Sequence, residues 1–159
     1  GLSGQVKADM SRILSDGIGR GLNPRDIARN LTEQTGIEAR RGHRIARTEV
    51  PMALRRARWD EQDQAQEDYG TQAKLMHMSA LSPTTRLTHA RRHAKLFTSE
   101  ETREWYARDA NAINCKCSQV SVLVDEKGEP LVPAIVDRAR KNYQVMKDKG
   151  NGPWADDKE

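Results

Sequence analysis

Residues 113–124 read INCKCSQVSVLV and carry both cysteines of the chain, Cys115 and Cys117, one lysine apart at the head of an alternating apolar run. Alternation at period two predicts a β-strand with Val120, Val122 and Val124 on one face, followed by a DEKG turn at 125–128. On such a strand the two cysteines share a face with Cα atoms about 6.6 Å apart, side by side rather than facing, so a bridge between them is not expected. Two readings stay open: a pair of small buried side chains, or half of a metal site whose other half lies elsewhere in the chain.

The other half has one candidate source upstream, HARRH at 89–93. If that segment is helical, His89 and His93 stack four apart on one face, and His89, His93, Cys115 and Cys117 together form a chemically reasonable tetrahedral zinc set. The CxC spacing departs from the usual gap between zinc cysteines, and the structural alternative is a hydrogen-bonded His89 beside cysteines that pack as small apolar residues. A nuclease reading would make His89 or His93 a general base with Arg86 or Arg92 stabilising an anion. Only adjacency supports it, and no phosphate-binding loop, nucleophile elbow or dinucleotide fingerprint is present.

Further toward the amino terminus the periodicity changes to helical. Leu2, Val6, Met10, Ile13, Leu14 and Ile18 form one apolar stripe, which Gly17, Gly19 and Gly21 are expected to end. In GLNPRDIARNLTEQTG, Asn23 is a good N-cap, Pro24 suits the first helical position and Gly36 can take the left-handed stop. A longer helix is predicted from Ile37 to Tyr69, kinked or divided at Pro51, with Glu49 on its buried stripe and therefore wanting a partner charge. Thr98 and Glu101 read as a capping box. AIVDRARKNYQVM, beginning at Ala134, is amphipathic, and the polar end after it reads as a mobile tail.

With 159 residues, 4% aromatics and 31% charged residues, the core should be modest and largely aliphatic. No run of about 18 apolar residues exists, so no membrane span is expected. The net charge is +4, and it is uneven: seven arginines between Arg40 and Arg58 stand against one carboxylate, Glu49. Arg40, Arg41, Arg44, Arg55, Arg56 and Arg58 are the candidate nucleic-acid contacts, suited to phosphates rather than to base edges.

These segments, taken in order, resemble the phage Mu F-like head morphogenesis family, also described as minor head or minor capsid proteins. The elements that carry the resemblance are ARTE (Arg47, Thr48 and Glu49 after Ala46), TRxxH (Thr85, Arg86 and His89) and NCxC (Asn114, Cys115 and Cys117), across roughly residues 20–130. LMHMSALSP stands where the family often carries an aspartate and a tryptophan. The resemblance implies a structural protein of the virion, not an enzyme, present in few copies near the portal vertex inside the capsid. Its implied partners are the portal protein, the major capsid protein and, nonspecifically, DNA, with host cytoplasm as the place of assembly. The family domain also occurs joined to toxin domains, which keeps a delivered effector or nuclease as the alternative.

The expected fold is α+β: a helical lobe over 1–70, a mixed lobe over 71–133 with a short antiparallel sheet holding HARRH and CKC, and a C-terminal helix with tail over 134–159. Arg47, Thr48, Glu49, Arg86, His89, Asn114, Cys115 and Cys117 are expected to act as a structural motif, with no required cofactor and zinc as the one candidate.

Overall fold

The computed structural model describes residues 3–158; Leu2, at the head of the predicted apolar stripe, lies outside them. The fold is α+β, with six α-helices and one three-stranded antiparallel sheet among the described residues. The chain forms two compact units, residues 1–57 with 110–115 and residues 58–109 with 116–159. This differs from the expected division at residue 70 with a separate C-terminal piece. The cut falls within one continuous helix, close to where the arginine-rich stretch gives way to the acidic WDEQDQAQED at 59–68, and no turn residue marks it.

The first unit is helical. Ser3 caps α1 (Gly4–Gly19), its Oγ accepting the Val6 N–H at 3.1 Å. Asn23 caps α2 (Pro24–Thr35) by accepting the Asp26 N–H at 3.0 Å, and Gly36 ends it at φ 75°, as the turn chemistry predicts. The long helix α3 (Ala39–Tyr69) runs through Pro51 without a break, although the missing N–H leaves one helical bond unmade. Its residues up to Ala57 belong to this unit.

Ile13, Ile27, Ala28, Leu31, Ile37 and Ala46 make the core of this unit. Gly17 does not end α1 as expected. It lies inside the helix, where a Cβ would stand 2.6 Å from Ile27 Cγ1, so its missing side chain sets how closely α1 approaches α2.

The second unit begins with residues 58–69 of α3 and adds β1 (Ala73–Met78), α4 (Leu87–Ala90), β2 (Leu96–Phe97), α5 (Ser99–Tyr106), β3 (Ser118–Leu123) and α6 (Pro133–Asp148). The strand order is β2-β1-β3, with His77 opposite Gln119 and Leu75 opposite Ser121. That register gives each sheet face its own helices. On one face Gln119 meets Trp59 of α3 and Tyr106 of α5, while His77 meets Trp105 of α5. On the other, Met76 and Val122 pack with Val136 and Ala139 of α6. Thr98 and Glu101 form the predicted capping box at the start of α5.

The C-terminal end is packed, contrary to the expected mobile tail. A 3-10 turn at Pro153–Asp156 buries Trp154 against Leu81 and Ala90, and the indole N–H donates to the Ser82 carbonyl at 2.9 Å. Asp157 receives both Nε and Nη2 of Arg91, at 3.0 and 2.9 Å. One large aromatic supplies here the anchoring that the polar composition hid.

Candidate metal centre and cationic face

In the second unit the TRxxH element opens α4, with Arg86 at the N-cap position and His89 in the helix's only turn. His89 is buried, its ring 4.7 Å from that of Trp105 in an edge-on arrangement, and its Nδ1 lies 3.6 Å from Cys117 Sγ. Cys117, also buried, sits just before β3. A histidine and a cysteine 28 residues apart in sequence are thus direct neighbours.

His93 does not join them. The helix stops at Ala90, the chain turns through 91–94, and Ala94 takes φ 65°, so the four-residue stacking of His89 and His93 is lost. His93 Nδ1 accepts the Ser79 N–H at 3.0 Å, and Nε2 donates to the Ala139 carbonyl at 3.1 Å. Both ring nitrogens are engaged, which assigns the neutral Nε2–H form and removes His93 from the expected ligand set. Burial lowers its pKa below the ordinary 6.5, with the Ala139 bond opposing the shift.

Sequence reasoning missed two aromatic neighbours of the His89 and Cys117 pair, His77 and Trp105, and named Arg92 only as an anion stabiliser. His77 of β1 stands edge-on to the same Trp105 at 5.5 Å. The Arg92 guanidinium lies over the Trp105 ring at 4.1 Å and over Phe97 at 3.7 Å, with burial lowering its pKa and the charge of Cys117 among the influences that raise it. The weak alternation of β1 was the only signal for His77, and none marked Trp105.

The remaining motif residues meet in the first unit. Asn114 takes φ 52°, a left-handed conformation that asparagine tolerates better than most residues, and its N–H donates to Thr48 Oγ1 at 3.3 Å. Arg55 Nη2 donates to the Cys115 carbonyl at 3.0 Å, and Nη1 lies 3.4 Å from Met52 Sδ. The Thr48 side chain of ARTE and the backbone of the NCxC segment are therefore joined by a hydrogen bond. Glu49 is half-buried and Arg47 is exposed; among the described residues neither forms an ion pair, so the partner charge expected for Glu49 is not found. Neither cysteine lies in the strand expected to carry the pair: β3 begins at Ser118, after Cys117.

The candidate nucleic-acid contacts sort by burial. Arg55 is buried on the Cys115 carbonyl and leaves the set. Arg40, Arg41, Arg44 and Arg56 are exposed in the first unit, and Arg40, Arg44 and Arg47 follow three- and four-residue spacing on one side of α3. Arg25 and Arg29 of α2 share an open groove with Glu33 and His43, an extension of this basic face that the sequence reading did not include. Arg58, in the second unit, donates to the Gln119 carbonyl at 3.4 Å. The first unit carries eleven Lys and Arg against six Asp and Glu, a net +5, whereas the second has sixteen against seventeen.

Among the described residues no helix is long and apolar enough to cross a membrane. No curated protein and no solved structure matches the chain. A family model, Phage Mu protein F like protein, matches residues 8–120 and so spans α1 to β3 with all three motif elements. The chain belongs to the Phage Mu protein F like family and is a phage head-related protein.

Proposed function

We propose that the chain is a non-enzymatic minor head protein of a tailed phage, taken into the capsid near the portal vertex during head morphogenesis. Its partners in this reading are the portal and major capsid proteins, and it meets packaged DNA through the arginine face of its helical unit. Family membership across residues 8–120 is the observation that carries the reading. The DNA contact is supported by Arg40, Arg44 and Arg47, exposed on one side of α3 and in no ion pair among the described residues. Guanidinium groups spaced along a helix neutralise phosphates without reading bases, which suits a protein that must accept any packaged sequence.

The alternative of a delivered nuclease would ask His89 or His93 to act as a base. Both are buried, and His93 has both nitrogens engaged, so neither is displayed to a polymer substrate. Deleting the gene from the phage that encodes the chain tests the proposal. Yield of infectious particles should fall and recover when the gene is supplied in trans; an unchanged yield from the deletion would contradict it.

A further inference from the structure

We propose that the groove between α2 and α3 seats the sugar–phosphate backbone of DNA, with Arg25 and Arg29 on one wall and His43 on the other. This deepens the DNA contact of the head-protein reading and rests on it, moving the contact from a helix surface into a recess.

The recess follows from small side chains. Gly42, buried in α3, has no Cβ; one would stand 3.1 Å from both the Ala28 carbonyl oxygen and Thr32 Oγ1, so its absence lets α3 come down onto α2. Ala28 and Ala39 line the groove beside that contact and, carrying only methyl groups, leave it open. Its volume is about 440 Å³, the size of a small-ligand site, so it admits a few sugar–phosphate units and not a whole duplex.

The walls carry the donors. Arg25, Arg29 and Glu33 follow one another at four-residue spacing on α2, as Ala39, His43 and Arg47 do on α3. Arg25 and Arg29 are therefore about 6 Å apart along the helix axis, a spacing that suits neighbouring phosphates of one strand. Among the described residues Arg25 and His43 form no hydrogen bond or ion pair, and Arg29 has only an exposed pair with Asp26 at 3.2 Å, which water already weakens. The donors of the groove are thus left for a ligand.

Arg47 carries the α3 wall on into the exposed side that also holds Arg40 and Arg44. No carboxylate interrupts residues 39–48, which favours a long, uniform polyanion over an acidic peptide of mixed sequence. Glu33, exposed at the end of the α2 row, is the one carboxylate of the groove lining. It repels phosphate from that end and directs the strand toward Arg25, so neutralising it should strengthen binding if the backbone lies in the groove.

The test titrates the full chain, labelled with nitrogen-15, with mixed-sequence duplex DNA at low salt while the histidine ring signals are followed by NMR. Of the four histidines, His77, His89 and His93 are buried and His43 is not. His43, assigned by the signal missing from His43→Gln, therefore reports on the groove, and its ring signals are expected to shift while the other three stay in place. In parallel, Arg25→Gln should lower the slope of log affinity against log salt by about 0.9, and Glu33→Gln should raise affinity about two- to fivefold. Both positions are exposed, so the variants keep the fold; Lys7→Gln on α1, outside the groove, makes the same charge change as Arg25→Gln and should lose less. A wild-type chain that binds no DNA overturns the groove and the DNA contact together. DNA binding that leaves His43 unmoved, or in which Arg25→Gln loses no more than Lys7→Gln and Glu33→Gln gains nothing, overturns the groove alone. Polyglutamate that shifts His43 as DNA does at equal charge concentration would assign the groove to an acidic protein instead.

Discussion

In the helical unit the buried side chains are almost all aliphatic or alanine, with Arg55 and Asn111 as the polar exceptions, and the unit's charges face outward with a net +5. In the sheet-bearing unit the buried set includes His77, His89, His93, Gln62, Gln119, Ser79 and Thr102, and the charges nearly cancel. The first unit is held by area removed from water, which is tolerant of surface change. Its surface is therefore available to a polyanion at little cost to the fold. The second depends on hydrogen bonds made inside, where each polar group needs its particular partner. Its interior, not its surface, is where pH should act.

The largest effect that sharpens this contrast is at the end of the chain. Trp154→Ala removes a buried indole and its bond to the Ser82 carbonyl, and should cost about 3–5 kcal/mol in chemical denaturation. Raised amide exchange should appear in the second unit; a polar, unanchored end would leave both measurements unchanged. A smaller loss is expected in the first unit. Gly17→Ala gains helix propensity but forces Ile27 aside, for a net cost of about 1–2 kcal/mol in the same assay.

The pH response should separate the units next. The folded pKa of His93 lies below its ordinary 6.5, so the unfolded chain binds the proton more readily. Its contribution is present above pH 6.5 and is lost as pH falls through that value toward the lower, folded pKa. His93→Gln should flatten this part of the stability profile, and a profile of unchanged slope in the variant would break the assignment.

The smallest effect on stability comes with the clearest binding effect. Replacing Arg40, Arg44 and Arg47 together by Gln should shift stability by no more than about 0.5 kcal/mol per site, since all three are exposed. If each contacts a phosphate, the slope of log affinity for duplex DNA against log salt should shrink by about 0.9 per arginine. An unaltered slope would detach DNA binding from this face.

Much of the fold was legible because local chemistry specified it. Asn23, Pro24 and Gly36 bound α2, Thr98 and Glu101 open α5, and the Asp125 to Gly128 turn returns the chain so that Val124 meets Pro130. What was illegible depends on distant partners. The turn at 91–94 takes His93 to Ser79 and to Ala139, 46 residues away, and the 110–115 segment returns to Thr48 and Arg55 of α3. Nothing in HARRH distinguishes a helix that continues from one that stops after a turn. Likewise Gly17 reads as a terminator until Ile27 is placed against it. His89, Cys117 and Arg92 were visible as residue types, while Trp105, against which His89 and Arg92 both pack, was not.

The most direct test of the account is mass spectrometry of purified, DNA-filled heads from the phage that encodes the chain. The chain should be found in those heads at a few copies per portal, far below the major capsid protein. Its absence from the particles, with the chain abundant elsewhere in the lysate, would contradict the account.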